Sequence, residues 1–229
     1  MRYIIGMIFL LIGSIPAFSQ KFEVGPFIGG ANYIGDVGNS TYLRPSELVF
    51  GGLVKWNQST RHSYRFSLLY ANLSGDDKFS QDKRRRQRGY HFENTLMEAS
   101  LGVEFTFYEY DPFSSTPQAT PYLYSGINYY FADHFKPEGG ELVEAGKNWE
   151  FSIPLVMGYK LTLNSFLSAG AEIGARYNFS DNLDGSSPSE TNEAFEWKNF
   201  GNKNTTDWYV FTGIYLTFNF GIKPCYTHF

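Results

Sequence analysis

The chain has 229 residues, a formal net charge of −4, 19% aromatic residues, 23 glycines and a single cysteine. The acidic balance excludes a general nucleic-acid footprint, and one cysteine excludes an internal disulfide framework. Aromatic and glycine enrichment without helix-forming runs, at a mean hydropathy of −0.31, points to an all-β chain.

The chain opens with MRYIIGMIFLLIGSIPAFSQ, in which Arg2 precedes an apolar core from Tyr3 to Ile15 and Ala17-Phe18-Ser19 precedes Gln20. A basic start, an apolar core and a small-x-small site are the marks of a secretory signal peptide, here expected over 1–19. No cysteine follows the core, so the usual bacterial lipoprotein processing signal is missing. The expected mature unit, 20–229, is an exported chain.

Candidate strands follow near 21–36, 47–58, 62–74, 94–110, 121–133, 149–163, 166–179 and 207–221. The fourth is the clearest. Met97, Ala99, Leu101, Val103, Phe105 and Phe107 occupy one face, and Glu98, Ser100, Gly102, Glu104, Thr106 and Tyr108 the other. Strict period-2 alternation over this length predicts a strand with one face in an apolar medium. The seventh and eighth segments repeat it, whereas the first two are glycine-rich and leave their facing open. Connections alternate between long (37–46, 75–93, 134–148, 180–206) and short (59–61, 111–120, Asn164-Ser165). An even number of strands with short turns at one end and long loops at the other predicts an eight-stranded antiparallel transmembrane β-barrel of the outer-membrane type, with both termini and a short tail in the periplasm.

Alternation alone does not say which face is inside, and a soluble lipocalin-like barrel also has eight strands. The polar faces favour the membrane version, because they mix small residues with charges of both signs: Arg65, Glu98, Glu104, Glu150, Lys160, Glu172 and Arg176. That set suits a narrow lumen plugged by ion pairs, with Arg65 expected near Glu98 or Glu104 and Arg176 near Glu150 or Glu172. Large aromatics near strand ends (Trp56, Tyr70, Phe107, Tyr159, Trp208, Phe220) read as an interfacial girdle. An interior this narrow is filled by side chains, so no conducting pore is expected.

Other chemistry is sparse. The basic run Lys83, Arg84, Arg85, Arg86, Gln87, Arg88 falls on an extracellular loop, where it meets either lipopolysaccharide phosphates, a partner, or solvent alone. His62, His91, His134 and His228 lack metal-ligand spacing. Asp133-His134 lies near the outer rim, where barrel enzymes place such groups, but no nucleophile or oxyanion donor stands beside it. The loop SDNLDGSSPSETNEAFEWKNFGNKNTT (180–206) has calcium-like composition without calcium-loop spacing. No catalytic, metal or cofactor residue is assigned, and neither a nucleic acid nor a small-molecule substrate is expected. In the tail after the last strand, Cys225 is an odd thiol in an oxidising compartment, suited to an intermolecular disulfide or to burial against the barrel base.

The ordered set EVGPFIGGANYIGDV (23–37), YHFENTLMEASLGVEFTFYEY (90–110), PYLYSGINYYF (121–131), FSIPLVMGYKLTLN (151–164) and AGAEIGARYNFSDNLDG (169–185) resembles the PorG-type barrels of the type IX secretion system. The resemblance spans almost the whole mature chain. It implies a non-enzymatic outer-membrane component that associates with a periplasmic ring built from a PorK-like lipoprotein and a PorN-like partner, in a machine that exports proteins and in some bacteria serves gliding motility. It transfers no catalytic residues. Two other readings stand beside it: a free-standing barrel binding surface ligands through its long loops, and a rim enzyme resting on Asp133-His134.

Overall fold

The computed structural model describes residues 21–35, 37–38, 46–138, 141–179, 183 and 207–221. Eight strands close into an antiparallel barrel: β1 (Lys21–Ile34), β2 (Glu47–Asn57), β3 (His62–Asp76), β4 (His91–Thr106), β5 (Ala119–Glu138), β6 (Glu141–Asn164), β7 (Leu167–Asn178) and β8 (Trp208–Phe220). Each strand pairs with its sequence neighbours, and β8 returns to β1 from Phe22↔Phe220 to Ile34↔Trp208. Closure leaves the barrel wall without a free edge, which satisfies its backbone polar groups internally. Neighbouring backbones come close where glycines meet across strands, at Gly102↔Gly126. A Cβ on Gly102 would lie 2.2 Å from the Ser125 carbonyl oxygen, and one on Gly126 equally close to that of Leu101. Only glycine tolerates such an approach.

Alternation places the two residue sets on opposite sides of the wall. Leu101, Ile127 and Ile214 point out and are 62%, 66% and 61% exposed, while Arg65 and Glu104 point in at 1% and 0%. A polar interior inside an apolar exterior is the reverse of a soluble barrel and is the distribution of a transmembrane one. The outer surface is layered. Phe220, Phe22, Trp56 and Tyr64 are register mates across β8, β1, β2 and β3, forming an aromatic row at the short-turn end. At the long-loop end stand Phe50 with Tyr70, Tyr129 with Trp149, and Tyr177 with Trp208, ring centroids 4.7–5.3 Å apart. Aliphatic side chains such as Ile28, Leu68, Leu101 and Ile214 fill the band between.

The segment expected as a loop over 134–148 is instead strand. β5 and β6 run to Glu138 and from Glu141, paired with each other beyond the last register partners on β4 (Met97↔Phe131) and β7 (Ser152↔Asn178). A register shift between His134 and Phe135 interrupts this two-stranded arm. The connection after β3 also has structure: a 3-10 turn, Asp77–Phe79, then a short helix α1, Lys83–Arg88. The expected signal peptide, most of the 180–206 loop and the tail with Cys225 and His228 lie outside the described residues.

Candidate functional site

The lumen holds the densest set of charged side chains among the described residues. Its middle holds four cations, Lys55, Arg65, Lys160 and Arg176, against four carboxylates, Glu23, Glu98, Glu104 and Glu172, all buried. Both terminal nitrogens of Arg65 reach the Glu172 carboxylate, at 2.6 and 2.8 Å. Tyr122 donates a further hydrogen bond to Glu172. Glu104 takes Lys160 at 2.6 Å and Lys55 at 2.9 Å. Glu98 accepts from Arg176 at 3.1 Å and from the Tyr209 hydroxyl at 2.9 Å. Glu23 accepts from Asn57 and Thr217, both at 2.9 Å. Aromatic faces complete the solvation of the cations: Arg65 lies 4.8 Å from the Tyr124 ring centroid and Arg176 4.2 Å from that of Phe211. Charges removed from water are tolerated only when paired and hydrogen-bonded to this degree.

The short-turn end is closed by the 107–118 connection, which folds inward. Tyr110 and Phe113 are buried. The Tyr110 hydroxyl donates to Ser168 Oγ at 3.0 Å, and the Lys160 ammonium sits 4.3 Å from its ring centroid. Burial pushes the Tyr110 phenol well up, the nearby Glu23 carboxylate adding to the effect; the phenol therefore stays a donor at physiological pH. Asn219 donates to the Pro112 carbonyl, and Lys21 pairs with Asp111 at 2.9 Å.

The long-loop end carries an apolar cap of Val37, Leu73, Phe92, Leu96, Phe135 and Leu183, against which Leu142 of the arm packs. Leu183 is held from two sides: its N–H donates to Asp207 at 3.0 Å and its carbonyl accepts from Asn94 at 3.1 Å. Tyr33 donates to the same Asp207 carboxylate. Among the described residues the lumen is thus an aromatic floor, a charged middle and an apolar cap.

The chain matches the family described as Domain of unknown function (DUF6089) over residues 2–228. It belongs to that family. No curated protein matches it. Among solved structures it is similar to Neisserial surface protein A, at 10% identity, with 87% of this chain and 97% of that chain covered and a TM-score of 0.50. It is also similar to the N-terminal β-barrel domain of Pseudomonas aeruginosa OprF (14% identity, 87% and 97% covered, TM-score 0.47). A third is Ail of Yersinia pestis, solved with the heparin analogue sucrose octasulfate (8% identity, 89% and 100% covered, TM-score 0.48). The likeness to the neisserial protein is one of fold.

In this DUF6089 barrel, six of the seven charges expected in the lumen gather in its middle, but their partners differ from the expected ones. Arg65 on β3 bypasses Glu98 and Glu104 on the neighbouring strand and meets Glu172 on β7; Arg176 on β7 meets Glu98 on β4. The reason is radial geometry: long side chains pointing inward converge toward the axis, where their tips approach the opposite wall. Glu150 stands apart, at the mouth, with His134 Nε2 at 3.0 Å and the Tyr130 hydroxyl at 2.8 Å. Asp133, the other half of the rim pair, is bound to Lys147 at 2.7 Å.

Sequence reasoning missed Glu23, Lys55 and the tyrosines that bind the carboxylates. On β1 and β2 the inward row includes Phe27, Ala31, Val49 and Leu53, so both faces are apolar in part and alternation is lost. Lys55 between Val54 and Trp56 was the available signal. The basic run also divides. Arg88 pairs with buried Asp77 at 2.8 Å, Arg85 donates to the Gly35 and Gly38 carbonyls, and Arg86 donates to the Ser80 carbonyl. Lys83 and Arg84 remain exposed.

Proposed function

We propose that this protein is a non-enzymatic structural component of the outer membrane, acting in type IX protein secretion by anchoring or positioning the periplasmic ring of a PorK-like lipoprotein and a PorN-like protein. The observation that carries the anchoring role is the packed lumen within an apolar outer band: the barrel is built to sit in lipid without conducting. The secretion role rests on the resemblance of the ordered strand segments to PorG-type barrels. In this reading the short-turn end, with turns 58–61 and 107–118 and both chain ends, faces the periplasm, where the ring lies, and the long-loop end faces outward. Its contacts are outer-membrane lipid and the two ring proteins, and no substrate or cofactor is assigned. Purification of the tagged barrel from its host in mild detergent tests the reading. Co-recovery of the ring lipoprotein and its partner is the expected result, with a disulfide-linked band through Cys225 on a non-reducing gel as a further outcome. Recovery of the barrel alone, after crosslinking as well as without it, overturns the ring assignment.

A second reading, a free-standing barrel that binds surface ligands, is favoured by the structured loop carrying α1. In that case variants of this loop, rather than of turn 107–118, alter the phenotype.

A further inference from the structure

The loop between β3 and β4 sorts its charges into two sets. Residues 76–88 contain six cations and three carboxylates, in a chain whose formal net charge is −4. The inner set builds the loop. Buried Asp77 accepts from Arg88 Nε at 2.8 Å, from the Gly38 N–H at 2.9 Å and from the Tyr90 N–H at 3.1 Å. Arg85 ties the loop to Gly35 at 2.9 Å and Arg86 ties α1 to Ser80 at 2.6 Å. The other two carboxylates serve the backbone: Asp76 accepts from the Lys78 N–H and Asp82 from the Arg84 N–H. The outer set is Lys78, Lys83 and Arg84, exposed and without a side-chain partner among the described residues. Beside them Phe79 projects at 67% exposure, one of the most exposed large apolar side chains of the molecule.

We propose that Lys78, Lys83, Arg84 and Phe79 form a binding site for the phosphate-bearing head of outer-leaflet lipopolysaccharide, a proposal that rests on the outer-membrane orientation given above. Placement, charge and apolarity agree on this occupant. Along β3 the outward side chains step from Tyr70, in the upper aromatic row, to polar Asn72 and Ser74 before the loop begins, so the loop stands immediately above the apolar band. Cations just outside a bilayer surface are drawn to its anionic groups. A soluble anion or a free polysaccharide would leave the Phe79 ring in water, whereas a glycolipid supplies apolar material beside its phosphates. The internal arginine staples hold α1 in place before binding, which lowers the ordering cost of a loop contact.

The test uses the full-length barrel in non-ionic detergent, titrated with purified lipopolysaccharide, with phosphatase-treated lipopolysaccharide and with inorganic phosphate. The combined variant Lys78→Gln, Lys83→Gln, Arg84→Gln is expected to lose on the order of tenfold or more in affinity for the intact glycolipid, with wild-type binding weakening as salt rises. Phe79→Ser is expected to weaken binding at every salt concentration while leaving the salt slope unchanged. Each variant is first shown to keep the heat-dependent gel shift of a closed barrel. Equal affinity of the combined variant, or equal binding of the phosphatase-treated glycolipid, overturns the site; inorganic phosphate binding as tightly as the glycolipid overturns the lipid assignment. Orientation is read separately, by labelling Lys83→Cys in a Cys225→Ser background with a membrane-impermeant maleimide on intact cells. Absence of labelling overturns the orientation and with it the outer-leaflet assignment. Labelling without phosphate-dependent binding overturns the site alone.

Discussion

Arg65 and Glu172 meet face to face across the lumen, from β3 and β7, four strands apart in a ring of eight, with paired contacts of 2.6 and 2.8 Å. Neither side chain is screened by solvent, and each is the other's principal counter-charge. Removing one member of a buried pair strands the other and typically costs about 3–5 kcal/mol. Arg65→Ala is therefore expected to lower the unfolding midpoint in denaturant well below that of wild type, while Arg84→Ala on the exposed face of α1 stays within about 0.5 kcal/mol. Equal midpoints for the two variants would contradict an enclosed charge layer.

Closure of β1 on β8 predicts a gel signature. With every wall strand paired on both sides, the folded barrel is expected to survive in cold detergent and to migrate differently from a boiled sample. A single species migrating identically with and without heating argues against the closed wall.

Asp207 joins Leu183 to the barrel mouth, accepting from the Leu183 N–H and from Tyr33. Asp207→Ala leaves both donors buried without that acceptor, a loss of about 1–3 kcal/mol. The expected result is an unfolding midpoint in denaturant lowered by an amount within that range. An unchanged midpoint would show that the two hydrogen bonds do not stabilise the barrel mouth.

Gly158 is where the wall makes room for Tyr122. A Cβ there would lie 2.4 Å from the Tyr122 ring, and Tyr122 is fixed in the packed lumen by its bond to Glu172. Gly158→Ala is expected to destabilise by about 1–3 kcal/mol through overpacking. Gly52→Ala, whose nearest obstacle is 3.6 Å away, serves as the near-neutral comparison. Denaturant melts of the two variants in the same detergent provide the measurement.

The alternation in β4, β7 and β8 was enough to place strands and to sort their residues onto two faces, because a residue's side of a sheet follows from its parity along the chain. Signs of charge on one parity, Glu98 and Glu104 against Arg176 and Lys160, mark an enclosed polar interior in the sequence itself. β1 and β2 resisted this reading, since Phe27 and Leu53 share the inward row with Glu23 and Lys55 and erase the contrast on which alternation depends. The 134–148 segment resisted it for a different reason: with three glycines, a proline and several polar residues it reads as loop, and only pairing across the arm makes it strand.

Local order along the chain therefore determined the strand count, the up-and-down topology and the pool of charges available to the lumen. The tertiary structure alone decided which charges pair. Barrel closure brings β3 against β7 and β4 against β7 at the axis, and contact there depends on radius and on the reach of Arg and Glu side chains, neither of which is encoded in spacing along the chain. The same holds for the basic run, where five cations within six residues look alike in sequence. Folding back onto Asp77 and the carbonyls of Gly35, Gly38 and Ser80 turns Arg85, Arg86 and Arg88 into structural ties and leaves Lys83 and Arg84 facing out.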